Sequence, residues 1–209
     1  MSLMQGFVGN QQQNDGSQPI ARMGKGGDLI VSQFNPRYYE NNYRGRSFYG
    51  SNGATPSVTT VALATTYTGL CLFNPGSSGV NLILTKVGYS FLVAFPAAAT
   101  IGLMVGYSNV NISTYTLAAS PGASSLIGAG LIPNGKVCLS ATLTGTPTLH
   151  TVFGEGLTGA ITTVPEGMNI VDMDGSVILP PGAYAAIYTS TVSGAASLAG
   201  SFQWIEQPI

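Results

Sequence analysis

The sequence predicts an all-β protein: a β-sandwich or jelly-roll body with an extended, largely irregular N-terminal arm. Three observations lead there. Short runs rich in Val, Ile, Leu, Thr and Tyr recur along residues 51–209, parted by turns rich in Gly, Pro, Asn and Ser. No stretch carries a capped apolar pattern of helical period. Glycine accounts for 28 of 209 residues and only 7% are charged, against a usual share of about 25%.

Charge divides the chain into an arm, residues 1–50, and a body, residues 51–209. The arm holds Arg22, Lys25, Arg37, Arg44 and Arg46 against Asp15, Asp28 and Glu40, a net +2. The body holds Lys86 and Lys136 against Glu155, Glu166, Asp172, Asp174 and Glu206, a net −3. The first half of the arm (GNQQQNDGSQP, then ARMGKGGD) buries too little apolar area to offset its ordering entropy. LIVSQF (29–34) reads as a short strand, and NPRYYENNYRGRSFYG mixes aromatic and basic side chains.

Within the body, VTTVAL (58–63) is the first strand candidate. LCLFN (70–74) and VNLILTKVGYSFLVAF (80–95) read as a hairpin around NPGSSG, where Pro, Gly and Ser suit pre-set or positive φ. The second run, 16 residues, exceeds an ordinary strand, so Gly88 predicts a bulge, a bend or a change of sheet. IGLMVGYS, VCLSATL, TLHTVF, SVILP, AYAAIYTST and SFQWIEQ follow, separated by SPGASS, IPNG, PEG, DMDG, PPG and SGAA. The one expected exception is a short turn near 119–129. FLVAFPAAATIGLMVG (91–106) is uncharged but 16 residues long and carries Pro96, Gly102 and Gly106. It is shorter than the ~20 residues of a membrane span, and two buried strands around a turn at 96–100 account for it.

Several strands are apolar on both faces. Tyr184 and Tyr188 share one face of AYAAIYTS, with Ala185 and Ile187 on the other. Leu82 and Leu84 oppose Ile83 and Thr85, while Phe202, Trp204 and Glu206 oppose Gln203 and Ile205. In an all-β body, another sheet or another subunit must cover such strands.

Chemistry is thin. His150 is the single histidine, and Cys71 and Cys138 sit in apolar strand-like runs as buried thiols; their spacing leaves open whether they pair. DMDG resembles the start of a calcium loop, but position 12 counted from Asp172 is Ala183, so an acidic turn is expected at Asp172 and Asp174. GKGGD lacks the Walker pattern, and Glu155 and Glu166 are carboxylates with no constraint that joins them. The expectation is no enzyme, no metal and no cofactor. No secretory signal is expected from MSLMQGFVGNQQQNDG, which lacks a basic start and an apolar core.

A net charge of −1 exerts no strong pull on nucleic acid or anionic lipid. Polypeptides this neutral hide surface against copies or partners, so a homo-oligomer is expected. The arm offers one binding constellation: Arg37, Tyr38, Tyr39, Tyr43, Arg44, Arg46, Phe48 and Tyr49. Tyr and Arg concentrate at protein interfaces. Glu40 offsets the arginines, so a protein partner is expected over nucleic acid.

GLCLFNPGSSGVNLIL, VILPPGAYAAIYTS and the closing SFQWIEQPI give the chain a texture that resembles tailed-bacteriophage virion proteins. It is most similar to capsid decoration (cement) proteins with β-sandwich or jelly-roll bodies. The resemblance implies copies, trimers favoured, clamped on the capsid exterior across capsomer junctions after synthesis in the host cytoplasm. The major capsid protein would be the partner and the arm the anchor. Head fibres and tail-associated receptor binders have similar texture, so the alternative expectation is a module that recognises host-surface glycans.

Overall fold

The computed structural model describes residues 36–53, 55–59, 63–108, 112, 114–156, 158, 169–193 and 197–209. The chain divides into two units, Met1–Tyr39 and Glu40–Ile209. After a single-turn helix, α1 (Tyr39–Tyr43), come β1 (Ser47–Ser51), β2 (Thr66–Tyr67), β3 (Cys71–Phe73), β4 (Val80–Phe91), β5 (Ala99–Tyr107) and β6 (Tyr115–Leu117). Then follow β7 (Ser120–Ser124), β8 (Lys136–Thr142), β9 (Thr148–Gly156), β10 (Asn169–Leu179), β11 (Ala183–Thr189) and β12 (Leu198–Pro208).

The strands form two antiparallel sheets. One has the order β10-β4-β12-β1-β7, and the other β2-β8-β3-β11-β5-β9 with β6 also along β8. Pairing is nested: β1 with β12, β3 with β11, β4 with β10, and β5 with β9. A long antiparallel ribbon wrapped upon itself in this way is a jelly roll. The segment β6–β8 is inserted between β5 and β9. Its β8 extends one sheet beyond β3, and its β7 extends the other beyond β1.

The space between the sheets is filled by one cluster that includes Leu82, Leu84, Phe91, Phe95, Ile101, Leu103, Phe202 and Trp204. Alternation in β4, β5 and β12 delivers most of these side chains inward, and β11 adds Ala185 and Ile187. Tyr184 and Ala186, on the opposite face of β11, join a second cluster with Tyr67, Cys71, Phe73, Met104, Ile112 and Cys138. The chain's own segments around Tyr67, Ile112 and Leu143 supply that cover, so here no second subunit is required.

Several expectations are corrected. NPGSSG does not close a hairpin: β3 belongs to the seven-stranded sheet and β4 to the five-stranded one. The turn is tight, with Ser78 N–H donating to Pro75 O and Gly79 at φ 67. Both flanks are apolar on two faces, however, and each gains more by entering the middle of a separate sheet. Gly88 pairs with Ile170 and Ser201 without a break. The register shift falls at Thr85, whose Oγ1 donates to Gln203 O at 2.9 Å. A Cβ on Gly88 would stand 2.7 Å from Ser201 Oγ, so closeness is what selects glycine there.

DMDG is a turn, but one set inside β10. Asp174 (φ 51) and Gly175 (φ 80) are both left-handed and push a short outcrop from the strand. The short turn expected near 119–129 is present where Ala129 N–H donates to Leu126 O at 3.2 Å, directly after β7. Pro121 is tolerated because β7 is an edge strand among the described residues. The boundary expected after residue 50 cuts through β1, which pairs with β12 and β7. The second unit begins at Glu40. The expected strand at 29–34 lies outside the described residues, as does the middle of 58–63 (60–62); Ser57 makes an isolated bridge to Leu198. Among the described residues no helix is long and apolar enough to cross a membrane.

Cys71 and Cys138 face each other in register across β3 and β8, both free and fully buried. Burial, then the hydrogen bond to Cys138, pushes the Cys71 thiol well up. Burial, then the neighbouring Cys71 and Cys138, does the same to Tyr67, against the pull of its bond to Ile187 O. Tyr184 is pushed up to about 12, first by burial and then by Cys71.

All three groups hold their protons more tightly folded than unfolded. Their contribution is therefore complete below the unfolded values, about 8.5 for Cys and 10 for Tyr, and is lost as pH climbs through the folded ones. The melting temperature is expected to be flat with respect to these groups near neutrality and to fall progressively above about pH 9. Tyrosinate absorbance should show a subset of tyrosines that ionise only as β-sheet circular dichroism is lost. Ionisation of all tyrosines near pH 10 in a still-folded chain would contradict this burial.

Candidate functional site

The predicted binding segment is where the chain enters the body. Glu40 and Arg44 pair across one turn of α1. The helix ends in a Schellman arrangement: Arg46 N–H donates to Asn41 O at 2.9 Å and Gly45 N–H to Asn42 O at 3.0 Å. Gly45, at φ 66, fills the left-handed position this requires. The same glycine leaves room for Leu131, whose Cδ1 lies where a Cβ would stand. The start of β1 is thereby brought against the β7–β8 loop.

That loop, SLIGAGLIPNG, is pinned at both ends. Ser124 Oγ accepts from Leu126 N–H at 3.1 Å. At the far end the buried Glu206 carboxylate accepts from Asn134 Nδ2 at 2.8 Å, Gly135 N–H at 2.9 Å and Trp204 Nε1 at 3.2 Å. Between the pins the loop turns at Gly128 (φ 85) and Gly130 (φ 66). It leaves Ile127 78% and Ile132 82% exposed, with Leu126 and Leu131 partly so. Together with Tyr49 and the strand residues Gly122 to Ser124, the four aliphatic side chains line a cleft of about 510 Å³. No charged side chain lines it.

The predicted residues distribute as follows. Tyr49 lines the cleft, and Arg46, beside Gly45, donates to Gln207 Oε1 at 3.3 Å. Tyr43, at the end of α1, and Arg44, just after it, are exposed. Phe48 alternates with Tyr49 along β1, so it turns inward and lies 6.3 Å from Trp204, ring to ring. It is only 5% exposed and belongs to the chain's own core, which corrects its assignment to a partner. Arg37, Tyr38 and Tyr39 belong to the first unit, where the Arg37 guanidinium lies 5.4 Å from the centre of the Tyr38 ring.

Sequence reading took the β7–β8 loop for turn clusters and missed its aliphatic residues. The available signal was LIGAGLI itself, four large apolar side chains in a glycine-rich connection, a place normally given to polar residues.

A second depression, of about 380 Å³, lies at the opposite edge of the body. Val105, Tyr107, His150, Ile178 and Pro180 are among the residues that line it. His150 Nδ1 is 2.6 Å from Thr151 Oγ1. Asp172 is paired with Lys86 at 3.0 Å, and among the described residues no three His, Cys, Asp or Glu converge as metal ligands would. Both depressions are suited to apolar adhesion, which operates at roughly 25 cal/mol per Å² of apolar surface removed from water. Compared with known proteins, the chain matches no family, no curated protein and no solved structure.

Proposed function

We propose that this chain is a structural virion protein of the tailed-phage kind, a decoration protein that assembles with its own copies and clamps onto the exterior of a capsid lattice. The observation that carries the reading is the uncharged apolar cleft of the β7–β8 loop, set beside the Arg/Tyr segment on a body with few charges. Large aliphatic side chains exposed on a pinned loop mark a contact surface. Jelly rolls recur in viral shells, but fold alone assigns no function, so the weight falls on this surface. Many equivalent copies, each holding weakly, reinforce a lattice strongly through multivalency.

Two truncations test the arm. Removing residues 1–39 is expected to leave the melting temperature of the body within a few degrees of the full chain. Binding to capsid lattices that lack a decoration protein should fall at least about tenfold, the equivalent of 1.4 kcal/mol. Removing residues 1–50 takes away most of β1 and is expected to unfold the body. Co-sedimentation with lattices and light scattering of the free chain read these outcomes. A chain that stays monomeric at high concentration and binds no lattice would refute the proposal.

A further inference from the structure

We infer that Cys71 and Cys138 are a site of covalent modification: oxidation joins their sulfurs in a buried disulfide that staples β3 to β8.

Register is the first argument. Leu70 O accepts from Ile187 N–H at 3.1 Å, and Asn74 N–H donates to Ala183 O at 2.9 Å. The backbones of Leu70 and Asn74 thus face β11, as does that of Leu72 by alternation. Cys71 turns its N–H and C=O the other way, to β8, and stands directly opposite Cys138. Such a hydrogen-bonded pair holds its Cα atoms about 5.5 Å apart, within the spread of about 4.4–6.8 Å found across disulfides. Side chains opposite one another share a face, and these two thiols already hydrogen-bond to each other. Cβ atoms about 4.5–5.5 Å apart in such a pair need to approach by about 1 Å for the bond to close.

Surroundings are the second. The thiols lie among Tyr67, Phe73, Met104, Ile112 and Tyr184. Lys136, two residues along β8, directs its Nζ to Pro133 O at 3.0 Å. Burial and the neighbouring thiol keep Cys71 protonated, so the pair is not poised as a nucleophile. Among the described residues no third His, Cys, Asp or Glu converges on them as a metal ligand would. What two adjacent sulfurs can do in such a place is bond to each other.

Place is the third. β8 belongs to the segment inserted between β5 and β9 and meets β3 over three pairs. A bond at this short seam closes a loop that takes in β4 to β7 and runs through both sheets. Closing so long a loop removes much of the unfolded chain's freedom and thereby favours the folded state.

The oxidant required is a small organic disulfide. One Cys thiolate attacks it and displaces a thiol; the other attacks the mixed disulfide and displaces the second. Two S–H bonds are lost and one S–S bond forms, and the two protons and two electrons leave in the two small thiols. Both sulfurs are fully buried, so the exchange takes place while the chain folds. Afterwards neither oxidant nor reductant reaches the pair. Dithiol and disulfide are therefore two lasting native forms, selected by the redox conditions of folding.

The test refolds the full chain, reduced and unfolded, with oxidised glutathione and, in parallel, with dithiothreitol. The first sample should be lighter by two hydrogen atoms, take no alkylating reagent when unfolded without reductant, and yield peptides joined through Cys71 and Cys138. Its melting temperature should exceed that of the dithiol sample by roughly 4–16 °C. While folded it should keep the bond in dithiothreitol, and lose it once urea is added. Cys138→Ala should melt alike after both treatments; the two wild-type samples decide the matter even where that variant fails to fold. Two alkylatable thiols after oxidative refolding, sulfurs capped by glutathione, or bonds between chains only would overturn the inference. So would an internal bond that leaves the melting temperature unchanged or lower, or one reduced as fast in the folded chain as in urea.

Discussion

Trp204→Ala is expected to cost about 4 kcal/mol and to lower the melting temperature by roughly 8–16 °C. Trp204 is 1% exposed, on the inner face of β12 opposite Leu84. Glycines wall it in: a Cβ on Gly135 would stand 3.0 Å from its Nε1, and one on Gly122 3.5 Å from Cη2. Phe48 closes the cluster on the β1 side. Gly122 and Phe48 are anchored in β7 and β1, and Gly135 is held by the Glu206 carboxylate, so the cavity left by alanine cannot collapse, and the cavity cost adds to the lost transfer energy.

The indole also donates to the Glu206 carboxylate that pins Asn134 and Gly135. Alanine therefore loosens the β7–β8 loop as well as the core. Trp204→Phe keeps most of the volume, loses only the N–H bond, and should cost about half as much. Thermal denaturation followed by circular dichroism measures both. A loss below 1 kcal/mol for the alanine variant would show that the core does not depend on this side chain.

Asn74→Ala is expected to cost about 3 kcal/mol, and Asn74→Asp more. Asn74 is 1% exposed at the corner where the chain crosses between sheets. Its Nδ2 donates to Val80 O at 2.8 Å and Leu179 O at 2.9 Å, on strands β4 and β10 of one sheet. Its backbone N–H donates to Ala183 O, and its carbonyl accepts from Gly182 N–H, both at 2.9 Å, at the start of β11 in the other. One residue thus joins the two sheets. Alanine leaves the buried Leu179 carbonyl without this donor, at about 1–3 kcal/mol, and the part-buried Val80 carbonyl with the Ser78 hydroxyl, on top of the lost packing. Aspartate adds a charged acceptor aimed at two acceptors. Urea titration gives the order; equal stability of all three chains would refute the role.

The fold was legible where alternation was strong. β4, β11 and β12 read correctly by face, and IGLMVGYS and VCLSATL gave β5 and β8. Pairing was not legible. NPGSSG is a sound turn, but whether its flanks pair with each other or with strands a hundred residues away depends on long-range burial, which no local pattern records. β1 was hidden because RSFYGS follows an Arg/Tyr segment with surface character, and only its contacts with β12 show it to be a core strand. The candidate site was half visible. Tyr49 and Arg46 were named from composition, whereas the aliphatic residues they adjoin were obscured by the glycines among them.

Because β1 runs antiparallel beside β12, with Ser47 opposite Ile205, the polypeptide comes into the body at the same end of the ladder by which it leaves. Tension between residue 46 and Ile209 would peel these two ribbons apart rung by rung, like a zipper, each bond failing alone. Tension delivered across the sheets would have to shear many rungs together. A copy held at its two termini would therefore be mechanically soft, and a stiff shell would have to grip it by its flanks.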